Sequence, residues 1–183
     1  YKNKNFILFN SNIHERKKPE AFIDLINKLN YKNNDYIGLM FFQSNNSQLQ
    51  NLKKYIKYRK IEKRIYLFQN YPIHYWVPFV KKVKKKVLFA PSKNEPLGRN
   101  LIEAILKNIF VIANNSGGHK EIVDKSNGIL INNIYSNSLI DLIEFLFKKN
   151  EKKIQTSKTK EKFINKFQDK NYINKIEKIY LEE

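Results

Sequence analysis

The chain alternates short apolar runs with segments of helical period, and few architectures accommodate that order. "FILFN" (Phe6–Asn10), "DYIGLMFF" (Asp35–Phe42), "RIYLF" (Arg64–Phe68), "KVLFAPS" (Lys86–Ser92), "IFVIANN" (Ile109–Asn115) and "GILIN" (Gly128–Asn132) read as buried strands. Between them, Phe22, Leu25, Ile26 and Leu29 recur at helical spacing behind Pro19, which suits a first helical turn. A second helix runs through Leu49, Leu52 and Ile56 with Ser47 as its expected cap, and a third through Leu101, Ile102, Ile105 and Leu106. "GGHKEIVD" reads as a short helix, and Leu139, Leu142, Ile143 and Leu146 open a helical C-terminus that resumes from Phe163 to Tyr180. Pro72 and Pro78 leave only a short helical piece within "YPIHYWVPFVKKV", and "KKNEKKIQTSKTKEK" reads as helix ends and a turn. Strand and helix in strict alternation predict a doubly wound parallel sheet, α/β in class, closed by C-terminal helices and built as one domain over residues 1–183.

Composition narrows the function more than the fold. With 42% hydrophobic residues, 183 residues suffice for one ordinary core. There are no cysteines, which excludes disulfides and thiolate chemistry and fits a reducing compartment, so a cytoplasmic location is expected. No apolar run approaches the ~18 residues of a membrane span. The N-terminal "YKNKNFILF" lacks a signal-peptide cleavage site. The formal charge of +18 attracts phosphate of any kind without choosing among nucleotide, nucleic acid and anionic lipid. Lacking an initiating methionine, the chain is expected to be part of a longer polypeptide.

"EPLGRNLIE" places Glu95 in the loop that leaves a predicted strand at its carboxyl end, where ligands of open parallel sheets bind. Gly98 and Arg99 then open a helix whose free N–H groups carry a partial positive charge of ~0.5, a natural cradle for phosphate. Glu103 follows roughly 6 Å along the axis at ~1.5 Å per residue, within reach of the vicinal hydroxyls of a ribose. Spacing alone leaves open the plainer alternative, in which Glu95 favours the helix start and Glu103 is one more exposed charge.

The segment from Pro91 to Ile131, "PSKNEPLGRNLIEAILKNIFVIANNSGGHKEIVDKSNGILI", resembles the family 4 glycosyltransferases (glycosyl transferases group 1) in its E-x7-E motif, the strand after it, its Gly-Gly loop and its closing "EIV…G.L". "FILFNSNIHERKKPEAFIDLI" is similar to that family's opening strand, loop and helix, and "FINKFQDKNYINKIEKIY" to its last helix. The resemblance covers nearly the whole chain and implies the C-terminal, donor-binding half of a GT-B enzyme, a Rossmann-like domain whose N-terminal acceptor-binding half is absent here. It further implies that Glu95 contacts the transferred sugar and Glu103 the nucleotide ribose. Backbone around Leu97 and Gly98 would approach sugar and diphosphate, and Lys17 would neutralise phosphate. The family's arginine partner to that lysine is replaced by Asn12, with Arg16 and Arg99 as candidate substitutes, and Ser11 stands at a usual glycine. "LMFFQ" replaces a glycine-rich turn after the second strand, so Phe41 and Phe42 are expected to narrow the nucleotide side.

What the resemblance implies chemically is transfer of a sugar from a nucleotide-diphosphate donor to a hydroxyl with retention, by front-face attack rather than through Glu95 as nucleophile. The donor is substrate, and no cofactor is implied. No Asp-x-Asp occurs, so a metal-independent mechanism is expected, resting on electrostatic stabilisation of the leaving diphosphate. Gly117 and Gly118 are candidates for approaching the donor through their amides, or form a simple turn. "KKVKKK" (Lys81–Lys86) suits either peripheral contact with an anionic membrane surface or a solvated charge run. His14, His74 and His119 lack metal spacing, and His14 draws attention because it lies in the first loop. Two other readings stay open. A sugar-nucleotide epimerase half would need an acid/base pair that is not found, and a non-catalytic anion or nucleic-acid module would bind DNA with a steep salt dependence. The aromatics of "YPIHYW" beside Pro72 and Pro78 read as loop anchors against the core rather than as a base-stacking surface, so nucleic acid is not the expected partner.

Overall fold

The structure is a computed structural model that describes residues 4–32, 35–71, 80 and 83–148. The predicted pieces at 72–79, the closing helix of residues 163–180, the polar stretch from 149 to 162, His74, and Lys81 and Lys82 of the lysine run lie outside the described residues. In chain order the elements are β1 (Asn5–Asn10), α1 (Pro19–Lys32), β2 (Tyr36–Phe42), α2 (Asn46–Tyr58), β3 (Ile65–Gln69), β4 (Lys86–Ala90), α3 (Arg99–Leu106), β5 (Phe110–Asn114), α4 (His119–Ile122), β6 (Gly128–Ile131) and α5 (Asn137–Lys148). Short 3-10 turns at Glu15–Lys17 and Glu62–Arg64 complete the set among the described residues.

The strands form one parallel sheet in the order β3-β2-β1-β4-β5-β6. Their side chains alternate between two cores, because successive residues of a strand face opposite sides. Ile7 and Phe9 of β1, Val87 and Phe89 of β4, and Phe110 and Ile112 of β5 pack with α1, α2 and α5. Leu8, Leu88, Ala90, Val111 and Ala113 pack with α3 and α4 on the other face. Burial on both faces explains why these strands read as unbroken apolar runs rather than as an alternating pattern.

Chain order reverses between β1 and β4, so the connections after these two strands lead to helices on opposite faces and leave a crevice at the carboxyl edge of the sheet. One local expectation is corrected. The cap of α2 is Asn45 and not Ser47: Asn45 Oδ1 accepts from the Gln48 amide at 2.8 Å while Gln48 Oε1 accepts from the Asn45 amide at 3.1 Å. This reciprocal box satisfies two N–H groups at once, whereas Ser47 already lies within the helix. Among the described residues no helix is long and apolar enough to cross a membrane.

Candidate functional site

Two loops meet at the crevice. After β1 the chain runs through Ser11 and Asn12 to the turn at Glu15–Lys17, which His14 caps by accepting the Arg16 N–H at its Nδ1, 3.2 Å away. After β4 it runs through Pro91–Leu97 to Gly98, whose left-handed conformation (φ 67°) turns it into α3. The Lys93 amide donates to the Arg16 carbonyl at 3.0 Å and joins the loops. Across that junction Lys17 Nζ and Glu95 Oε2 form an ion pair, with side chains only 16% and 13% exposed. Residues 78 positions apart in sequence thus share one charge contact at the switch point.

One turn into α3, partly buried Glu103 lies 3.5 Å from the Asn10 amide nitrogen, and Asn100 Nδ2 donates to the Asn10 carbonyl at 2.8 Å. The end of β1 is thereby tied to the same helix. Gly98 carries no side-chain cap for α3, and its carbonyl accepts from the Leu101 amide, so Arg99 and Asn100 open the helix at the crevice. Leu97 is 48% exposed, and Arg99 is exposed as well.

Gly117 and Gly118 lie behind this loop. A Cβ on Gly118 would come within 2.3 Å of the Pro96 carbonyl oxygen, and one on Gly117 within 2.5 Å of the Glu95 carbonyl oxygen. Only glycine permits such contact between backbones. The Gly118 N–H donates to the Glu95 carbonyl at 2.7 Å, so this amide holds the loop that presents Glu95.

His119, weighed only for metal spacing in the sequence, is wholly buried beside the site. Its Nδ1 lies 3.0 Å from the Asn114 carbonyl, which can only accept, so Nδ1 carries the hydrogen and Nε2 is left with a lone pair and no partner among the described residues. Burial pushes its pKa below the ordinary histidine value and Lys17 adds to this, while the bond to Asn114 and the Glu95 charge pull the other way. The imidazole is therefore neutral at pH 7 and supplies no second cation to Glu95. The nearest signal in the sequence was its position directly after the Gly-Gly turn at the end of a strand.

A cavity of about 580 Å³ opens on the Lys17 side, lined among others by Asn12, Arg16, Lys17, Gln43, Ser44 and Asn70. Its walls come from the loops after β1, β2 and β3 and from α2. Asn12 and Arg16 are exposed within it. Phe41, which lies within β2 rather than in a turn, is 2% exposed and stacks on Phe68 with ring centroids 4.6 Å apart. Tyr71 meets both rings edge-on at 5.9 and 5.8 Å. In the lysine run, Lys84 and Lys85 are exposed, whereas Lys86 is part of β4 and donates to the Val83 carbonyl at 2.6 Å.

Comparison with solved structures places this architecture among known relatives. S. aureus TarM superposes with a TM-score of 0.80 at 20% identity, covering 98% of this chain and 36% of its own. Anabaena HepE in complex with UDP and glucose gives 0.79 at 18% identity, with 97% of this chain and 48% of that one covered. The C-terminal domain of a group 1 family glycosyl transferase from Francisella tularensis, LpcC, gives 0.69 at 19% identity over 90% of this chain and 85% of that domain. No curated protein sequence matches. The chain thus spans half or less of TarM and HepE but most of a separate C-terminal domain. The sequence also matches the family described as Glycosyl transferases group 1 over residues 1–166. By that match and by its Rossmann-like fold, the chain belongs to the group 1 glycosyl transferases and is a C-terminal, donor-binding type of GT-B domain.

Proposed function

We propose that this domain binds a nucleotide-diphosphate sugar and, with an N-terminal acceptor domain of the longer protein, transfers the sugar to an acceptor hydroxyl with retention. The observation that carries this reading is the Lys17–Glu95 pair at the switch point between β1 and β4. A cation and a carboxylate held side by side suit a ligand that is anionic at one end and rich in hydroxyls at the other. UDP and glucose bound to HepE are ligands of that kind.

The diphosphate lies between Lys17, with Arg16 and Asn12 beside it, and the N-terminus of α3 at Gly98 and Arg99. Glu103 accepts the ribose hydroxyls, with Asn10 orienting its carboxylate. Glu95 accepts from the hexose near the backbone of Leu97. As the glycosidic bond breaks, negative charge grows on the leaving diphosphate, and Lys17 together with the helix end stabilises it without a metal ion. Gly117 and Gly118 support the sugar side through the Glu95 loop. The exposed Lys84 and Lys85 suit peripheral contact with the anionic inner face of a membrane.

Calorimetric titration of the chain with UDP, GDP and ADP tests the reading. One nucleotide should bind selectively, with affinity falling about tenfold or more in Lys17→Ala and in Glu103→Ala, the factor expected for a lost charge-assisted contact. Equal weak binding of all three, displaced by short DNA and abolished by salt, would mean a general anion-binding module instead.

A further inference from the structure

We propose that the Lys17–Glu95 ion pair makes the domain select the sugar-bearing donor over the spent nucleoside diphosphate, an inference that rests on the donor-binding role given above. The two side chains serve different ends of the ligand, yet in the free domain each is the other's partner. Lys17 lines the 580 Å³ cavity, whose walls come from the β1, β2 and β3 loops, whereas Glu95 comes from the loop after β4. The pair therefore stands where the phosphate side meets the sugar side.

A diphosphate that draws Lys17 away leaves the Glu95 carboxylate, 13% exposed, without a cation. A shielded charge that loses its partner and is not rehydrated is costly. Among the described residues Glu95 has no second cationic partner, Arg16 faces the phosphate side, and His119 is neutral with its Nδ1 hydrogen committed to the Asn114 carbonyl. The backbone that carries Glu95 is also held in place. Its carbonyl is held by the Gly118 N–H, and Gly117 packs against its backbone.

Only a ligand that brings its own hydroxyls to Glu95 compensates for the loss. The sugar conjugate does so while giving its phosphates to Lys17, and the free diphosphate satisfies one partner alone. Once the sugar has gone, re-forming the ion pair competes with the diphosphate for Lys17 and speeds its release.

The test titrates the chain in parallel with UDP, GDP and ADP and with their glucose conjugates, for wild type, Glu95→Gln and Glu62→Gln. Glu62 is exposed in a 3-10 turn and controls for the change in net charge. For the base that binds, wild type should favour the conjugate, and Glu95→Gln should bind the bare diphosphate about tenfold more tightly than wild type, the scale of a partly shielded ion pair. Its preference for the conjugate should disappear. Glu95→Ala repeats the comparison should the glutamine variant fold poorly, because the loop is held through backbone rather than through this side chain. A Glu95→Gln affinity for the diphosphate no greater than wild type, or an equal gain in Glu62→Gln, overturns the inference and leaves the donor-binding role standing. No binding of any nucleotide by wild type overturns both.

Discussion

The loops after β1 and β4 face each other across the crevice but are packed to different degrees. The β4 loop is fixed through its backbone. Asn114 Nδ2 donates to the Ser92 carbonyl at 3.2 Å, Ser116 Oγ accepts from the Asn94 amide at 2.8 Å, and Gly118 donates to Glu95. Two glycines leave no room for that backbone to shift. The β1 loop is tied as well, since the Ser11 amide donates to the Phe41 carbonyl at 3.1 Å, the Ile13 carbonyl accepts from Gln48 Nε2 at 2.8 Å and the Arg16 carbonyl accepts from Lys93. But no glycine contact packs it, and Asn12, His14, Glu15 and Arg16 are exposed. A carboxylate that must meet particular sugar hydroxyls gains from fixed placement. A cation that meets a diphosphate needs less, since charge attraction is not directional and long side chains adapt.

The difference is open to direct attack, and the largest effect is expected on the fixed side. Gly118→Ala should push the Pro96 carbonyl aside at a cost of about 3 kcal/mol or more, lowering Tm by roughly 6–12 °C for a domain of this size. Sugar-conjugate binding should fail with it. Calorimetric melting checks this, and a Tm within about 2 °C of wild type would show that the loop is not fixed by these glycines.

His119 gives an intermediate effect with a definite sign. Its folded pKa lies below the ordinary value of about 6.5, so the unfolded chain binds the proton more readily. The stability that the neutral imidazole contributes is present above that value and is lost as pH falls through it toward the lower folded pKa. Wild type should therefore lose Tm between pH 7 and 5 more steeply than His119→Gln. Parallel melting curves for the two proteins would mean that the buried imidazole is not part of the acid response.

The smallest effect on stability belongs to the adaptable side. Asn12→Arg, which places a cation in the cavity lining, should leave Tm within about 1 °C, as exposed substitutions do. Diphosphate affinity should rise about fivefold, the scale of one charge-assisted hydrogen bond of partial exposure. Titration of both proteins with the same nucleotide decides it, and unchanged affinity would place the phosphates away from Asn12.

Strands and helices were legible because both rest on local periodicity. Each apolar run became a strand, the central ones buried on two faces and the edge strands β3 and β6 only in part, and the placing of Glu103 one turn into α3 followed from helical rise. The cap of α2 was misplaced since apolar periodicity starts at Leu49 and drew attention to the nearest serine, although the Asn45 and Gln48 box was present in the sequence. The Lys17–Glu95 contact was not legible at all. It depends on strand order, which brings two loops together over 78 residues. Asn10 and Asn100 escaped for the same reason. The importance of His119 depends on burial against Gly98 and the end of β5, and no residue spacing encodes that.

The sheet order carries a consequence for how the chain acquires its shape. β1 precedes its two neighbours β2 and β4 in the sequence and sits between them at the centre of the sheet. Among the described residues every pairing is parallel, so none of these strands zips onto its neighbour through a tight hairpin. During synthesis β1 can join β2 early, but its other flank waits until Lys86–Ala90 has emerged, and it meanwhile presents unpaired amides and carbonyls along Phe6, Ile7 and Leu8. Closing that long interval makes folding slow compared with a helical bundle of equal length. The same late closure brings Lys17 to Glu95, so the binding crevice is assembled at the step that seals the middle of the sheet.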